Sequence, residues 1–310
     1  MSQFFTQAIL TATIASGIQL AAPFLLASLG ETMGQRSGVL NLGVDGIMLL
    51  GAFGAYYTSL HTGNAALAVL VGLGIGAALG LATAFVSVTL RAEQGISGIG
   101  VYLFALGLSS LLFLKLVGTP LPIGQLKALE IPFLHRIPGL GKTLFAHDAL
   151  VYLSFALVPV VAFALNRTTW GMNVKAVGEN PAAADSLGIS VARIRYSTVV
   201  LGSTLAGLAG ATLLIQVGIF QQNLTQSEGF IAVALVYFGA WRPLGVLAGS
   251  LLYGLTQATV LSWKGLGIIP VSMSDLASAA PAVITVLALL TVARFFRQPA
   301  ALGKPYLRGG

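Results

Sequence analysis

The chain has 310 residues, 8% charged and 56% hydrophobic, with a net charge of +7 and a mean hydropathy of +0.90. A soluble protein carries about 25% charged residues, so this composition excludes an ordinary soluble enzyme, a disordered tail protein and a nucleic-acid binder. It points to a protein whose solvent is mostly lipid.

The absence of cysteine excludes disulfides, thiol catalysis and Cys-ligated metals. The 38 glycines call for closely packed helices. A membrane helix needs about 20 mostly apolar residues. Phe5–Leu29 is such a run and is uncharged. No Lys or Arg precedes it, so it reads as a retained helix rather than a secretory signal. Val39–Leu60 follows with one acid inside, Asp45. Ala65–Leu90, Ile96–Leu114, the shorter Ala149–Leu165 with Pro159, and the small-residue-rich Ser197–Phe220 come next. Phe230–Ser262 is apolar but interrupted by Trp241-Arg242-Pro243, and Leu276–Phe295 is the last run. The runs are continuous, without the two-residue alternation of a membrane barrel. The expected fold is an all-α polytopic membrane bundle of about 8–10 helices, a single domain over 1–310, with one broken or re-entrant helix pair.

Loop charges set an orientation. Segment 167–196 carries Arg167, Lys175, Arg193 and Arg195, and the C-terminal end carries Arg294, Arg297, Lys304 and Arg308. The positive-inside rule makes both cytoplasmic, with a cytoplasmic tail at 297–310. Gln221–Gly229 has no Lys or Arg and belongs outside. Both assignments hold only if Phe230–Ser262 crosses twice or dips and returns, with Trp241–Pro243 at the cytoplasmic face, where Pro243 removes a backbone donor. Nine crossings with the N-terminus outside follow. The 115–148 connection, with Pro120, Pro122, Pro132 and Pro138, is then an extracytoplasmic loop.

Several apparent motifs carry nothing. Gly139-Leu140-Gly141-Lys142-Thr143 looks like the end of a phosphate-binding loop, but the required first glycine is Arg136. The Gly72–Gly80 cluster lies inside an apolar helix, so it is no dinucleotide fingerprint. His61, His135 and His147 lack ligand spacing, so no metal site is expected. No catalytic constellation stands out, and the chain is expected to catalyse nothing itself.

Three stretches carry more. Gly30 to Met48 gathers two acids, a base and an asparagine at the start of a membrane helix. Asn41 and Asp45, four apart, would share a helix face. An acid about 9 Å inside must face a cavity, a partner or a buried donor; alternatively Asp45 is a helix-start acid favoured by the dipole near headgroups. In Trp170–Ile189, Asn180 can cap, Pro181 takes the first helical position, Ala182–Ala184 propagate and Gly188 terminates. This compact helix, held between two spans, has the shape of a docking element. Gly202, Ala206 and Gly210 form a small-residue stripe for helix packing. Among polar groups within spans, Asn41, Asp45, Tyr237, Tyr253 and Gln257 are the candidates for a translocation pathway, and Tyr253 and Gln257 share a face at i, i+4.

The stretch from Glu31 to Met48, the K-A-V-G-E-N-P-x-A-A segment from Lys175 through Gly188, and Gly229–Gly245 resemble inner-membrane permeases of ABC importers of the branched-chain amino acid/ribose class, closest to the simple-sugar/nucleoside (basic-membrane-protein) branch. The resemblance covers nearly the whole chain; Asp45 stands where Glu is commoner. It implies a permease subunit for a nucleoside or simple sugar in a bacterial cytoplasmic membrane. Its partners would be a second permease (paralogue or self), a cytoplasmic ATPase that carries ATP and Mg, an extracytoplasmic substrate-binding protein and membrane lipid, with no nucleic acid and no cofactor on this chain. Segment 167–196 would be the coupling segment, with Gly178, Glu179, Asn180, Pro181, Ala182, Ala183, Ala184 and Gly188 seated on the ATPase. The competing readings are a stand-alone secondary transporter or channel for a small polar solute, and an ABC permease for branched-chain amino acids. Ion coupling is disfavoured because the spans hold almost no ionisable groups beyond Asp45.

Overall fold

Apolar runs without water must close every backbone hydrogen bond internally, and they do so as helices. The computed structural model describes residues 7–130, 141–292 and 297–307. Its long helices are α1 (Gln7–Arg36), α2 (Val44–Thr62), α3 (Ala65–Ala84, continued as a π-turn over Phe85–Thr89) and α4 (Gln94–Leu116). The 117–148 connection holds a two-residue antiparallel pair, β1 (Leu129–Glu130) with β2 (Ala146–His147), and the short α5 (Gly141–Phe145). Then come α6 (Ala149–Arg167), α7 (Thr169–Glu179), α8 (Pro181–Ser186), α9 (Val191–Val217), α10 (Glu228–Phe238), α11 (Pro243–Gly265), α12 (Ser274–Ser278) and α13 (Ala280–Val292). Pro132, His135, Arg136, Pro138, Gly139, Leu140, Arg294 and Arg308 lie outside the described residues.

Seven helical segments among the described residues are long and apolar enough to cross a membrane. Helix α2, with 19 residues, matches the shortest of them in length, and its neighbours bury most of it. The chain is a multi-pass membrane protein of all-α class. Helix α9 is its axis: 72% of its apolar window is buried, against 17% for α4. The small-residue stripe explains how. Gly202 meets Gly30 of α1, where an added Cβ would stand 2.7 Å from the Gly30 carbonyl oxygen. Gly210 packs directly on the Met48 carbonyl of α2, and Gly207 on α3.

Helix α1 runs seven residues beyond the expected Leu29. Gln35 donates to Glu31 one turn below (3.1 Å), and the chain turns only at Gly38, whose φ is +89°. Pro23 leaves the Gln19 carbonyl without its helical donor, and Gln216 Nε2 of α9 fills the gap at 3.0 Å. Helix α2 starts at Val44, not Val39, because Asn41 folds back to accept the Gly43 amide (2.9 Å) and holds the linker as a turn. Asn41 and Asp45 therefore do not share a helix face.

The expected interruption of the 230–262 run is a true break over Gly239–Arg242. Ala240 and Trp241 both adopt left-handed backbone (φ +51° and +55°), costing about 1–2 kcal/mol each, and Pro243 starts α11 at its first position. Helix α10 has only 11 residues, about 16 Å or half a bilayer core. The other half of that pass is the irregular segment 218–227, pinned at one end of the bundle by Ile123 N to Gly218 O (2.8 Å) and by Phe220 against Phe53, Tyr56 and Phe113. At the opposite end stand Arg36, Trp241, Gly178, Arg195 and the 301–304 tail: Arg36 donates to the Trp241 carbonyl (3.0 Å), Ala301 N to Gly178 O (2.9 Å) and Arg195 Nη1 to Lys304 O (3.1 Å). We call this the basic end.

Candidate functional site

Two constellations emerge, a polar seam inside the bundle and a helix pair at the basic end. The seam begins with α1. Glu31 stands five residues before the end of α1, about 8 Å inward. Its Oε1 accepts from Gln35 Nε2 (3.1 Å) and from the Asn41 amide (3.0 Å). Trp241 Nε1 donates to Gln35 Oε1 at 2.7 Å, so the break between α10 and α11 is tied to α1. Tyr237 packs edge-on against Trp241, ring centres 4.9 Å apart. The linker re-enters the bundle here, its Leu40 amide on Gln94 Oε1 (2.8 Å).

Asp45 lies deeper, fully buried at the start of α2. Its Oδ1 accepts from the Gly229 amide (2.8 Å) and its Oδ2 from the Thr225 hydroxyl (3.0 Å). Of the readings open for this acid, the geometry is that of a buried donor set: it caps the half-helix α10 from across the bundle, where the helix N-terminus favours negative charge. Gly229 packs so closely on the Asp45 backbone that no side chain fits there.

Glu228 opens α10 and bonds Gln257 of α11, within the field of Asp45 and Tyr253. Glu228 Oε2 and Gln257 Oε1 have no partner, and both residues are partly exposed. Tyr253, one turn from Gln257, packs on Phe24 with centres 4.5 Å apart. Tyr253 and Gln257 thus do come together, joined by Glu228. Asn41 belongs to the Glu31 group instead, and Tyr237 lies between that group and the break.

At the basic end, Asn180 closes α7 and caps α8 through its side chain on the Ala183 amide (3.0 Å), with Pro181 at the first position. Gly188 ends the unit at φ +84°. Ala184 is buried, whereas Ala182, Ala183, Ser186 and Gly188 are exposed, and Leu187 is 81% exposed at the tip. Gly178 packs on the Arg36 carbonyl with no room for a side chain. The pair is therefore seated on the turn that ends α1, the same turn that holds Trp241. No cluster of His, Asp and Glu able to hold a metal occurs among the described residues.

Sequence reasoning did not single out Gln35, Thr225, Glu228 or Leu187, and it read Trp241 only as part of the break. The i, i+4 pair Glu31–Gln35 was a readable signal. The Asp45–Thr225 contact joins residues 180 apart and left none.

The family model for the branched-chain amino acid transport system permease component matches residues 13–291. A guanosine ABC transporter permease of Bacillus subtilis is 32% identical, the match covering 97% of this chain and 98% of that protein. A nucleoside ABC transporter permease of Lactococcus lactis is also 32% identical, covering 95% and 96%. A fructose import permease of Rhizobium meliloti is 25% identical over 77% of this chain and 68% of its own. No solved structure matches. The sequence is thus shared along nearly its whole length with transport subunits rather than enzymes, and the chain belongs to the branched-chain amino acid transport system permease family of ABC importers.

Proposed function

We propose that this chain, with a second permease subunit (a paralogue or a second copy), forms the path by which an ATP-driven importer carries a nucleoside or simple sugar across a bacterial cytoplasmic membrane. The basic end and the C-terminus face the cytoplasm. Segment 167–196 couples to a separate ATPase that binds ATP and Mg, and an extracytoplasmic binding protein delivers the solute. The exposed α8, rigidly capped and seated on the α1 turn, is the observation that carries this reading. Gly178, Glu179, Asn180, Pro181, Ala182, Ala183, Ala184 and Gly188 form the unit, and Leu187 is its apolar knob. Motion imposed on α8 reaches Arg36 through Gly178, then Trp241 and the break.

The substrate class rests on the relatives, which carry guanosine, nucleosides and fructose by name, and on the seam. Its buried, unpartnered oxygens near Tyr253, Glu228 Oε2 and Gln257 Oε1, would suit hydroxyl and N–H donors once the helices part. Asn41, Asp45, Tyr237, Tyr253 and Gln257 flank this route.

The test is Leu187→Asp, which touches no buried contact. ATP-driven uptake should fall about tenfold or more, as for an interface anchor, while the melting profile stays unchanged. Uptake at the parent rate would refute the coupling role. The cysteine-free chain also makes Leu187→Cys a unique label. Modification by an impermeant thiol reagent added outside intact cells would refute the orientation.

A further inference from the structure

The basic end carries a cavity that the transport reading does not use. It has a volume of about 740 Å³ and lies between α6, α7 and the break that precedes α11. Arg36, Lys175 and Arg242 all line it, together with Asn166, Phe238 and Leu244. Convergence of three cations is unfavourable by itself: Arg36 lies in the field of both Arg242 and Lys175. Glu179 offsets part of this charge. The remaining geometry is also electropositive. Helix α11 starts here with no side chain capping it, leaving amides of its first turn without helical partners, and the positive end of its dipole faces the cavity. Burial, and then Arg36, hold the Lys175 ammonium below the usual lysine range, so a bound anion would relieve it. Lys175 is meanwhile anchored on Asn166 at 2.7 Å.

We propose that this cavity binds the phosphate-bearing headgroup of an anionic membrane lipid. Size and position favour a headgroup over a free phosphate. The volume equals that of about 25 waters at ~30 Å³ each, much more than a bare tetrahedral anion fills. The cavity has an apolar, outward edge, with lining residue Leu244 68% exposed and Phe163, next to lining residue Ala162 on α6, 62% exposed, where acyl chains would lie. Basic pockets between helices at the cytoplasmic face are suited to such headgroups. The bound lipid would brace the left-handed turn at Ala240–Trp241 against α6 and α7, and so link bilayer composition to the segment that α8 moves. This inference rests on the basic end facing the cytoplasmic leaflet, an orientation that Leu187→Cys labelling checks separately.

The experiment uses the full chain in its importer complex, delipidated and reconstituted. Binding is measured by native mass spectrometry and by thermal stabilisation against phosphatidylglycerol, phosphatidylcholine, and inorganic phosphate in detergent. Phosphatidylglycerol should bind and stabilise where the other two do not. Each charge removed by Lys175→Gln or Arg242→Gln should weaken it about fivefold, from the worth of one basic residue near an anionic surface. Lys175→Arg should retain binding, and Arg91→Gln, at the same end but outside the cavity, should leave it unchanged. Equal binding of phosphatidylcholine, an unaltered preference in the double variant, or equal stabilisation by inorganic phosphate would each overturn the proposal. So would a preference seen in the lone permease and lost in the complex, which would assign the cavity to an acidic side chain of a partner subunit.

Discussion

Replacing Asp45 by alanine removes one acceptor group and strands two donors. The Gly229 amide, 2.8 Å from Oδ1, sits in the first turn of a half-helix inside the bundle, and the Thr225 hydroxyl, 3.0 Å from Oδ2, is fully buried. An orphaned buried donor costs about 1–3 kcal/mol. The hydroxyl can rotate toward another acceptor and sits at the low end; the amide cannot. The variant should therefore lose about 2–4 kcal/mol, read as a shift in SDS-induced unfolding of the purified protein. Asp45→Asn keeps an oxygen for the Gly229 amide and should lose only about 1 kcal/mol. Thr225→Val should lose about as much, and the two together should fall short of additivity, because both remove the one hydrogen bond between them. Uptake should fall with the alanine variant even where protein remains, since the 218–228 segment keeps only its Phe220 packing on α2 and loses the polar anchor beside α10. Unchanged unfolding and unchanged uptake in Asp45→Ala would refute the clamp.

Other expectations follow from single contacts. Gln216→Leu should cost about 1–3 kcal/mol, because the Gln19 carbonyl that Pro23 strands has no other donor from its own helix; a paired Pro23→Ala should restore part of it. Gly210→Ala should be poorly tolerated and raise the degraded fraction on expression, since its Cβ meets the Met48 backbone, whereas Gly74→Ala, with open space around it, should be neutral or stabilising by up to about 1 kcal/mol. Trp241→Phe should lose about 1 kcal/mol with its 2.7 Å bond to Gln35. Glu93 caps α4 on the Gly95 and Ile96 amides, which hold its carboxyl below the ordinary 4.5. Its folded pKa is depressed, so its contribution is present above about 4.5 and is lost as pH falls through the lower folded value. Melting curves of the parent and Glu93→Ala should converge as pH drops in that range.

The spans were legible because lipid imposes one rule, long apolar runs, that acts residue by residue. The break at Trp241–Pro243 was legible from Pro243 and from the requirement that both basic segments lie on one side. Boundaries failed where polar side chains extended or shortened helices. Gln35 on Glu31 carries α1 past Leu29, and Asn41 on Gly43 delays α2 to Val44. Neither choice follows from hydropathy, since each is decided by one hydrogen bond. The caps of the α7–α8 unit were legible for the opposite reason: Asn180, Pro181 and Gly188 act on their own backbone within three or four residues.

The buried acids show where such legibility ends. Sequence established that Asp45 lies inside an apolar run and therefore needs a partner. It left open which, because the donors belong to residues 225 and 229 and one of them is a backbone amide that any residue provides. Glycine at 229 is required only because α2 crosses there at backbone contact. A polar residue in a membrane span thus announces a tertiary contact without naming it. The same logic runs in reverse for Glu228: an acid at a helix start reads as an ordinary first-turn residue, and only the half-length of α10 moves it from the surface into the seam. The depth of a charge is set by where its helix begins, and in this chain the irregular segment before α10, not its hydropathy, decides that.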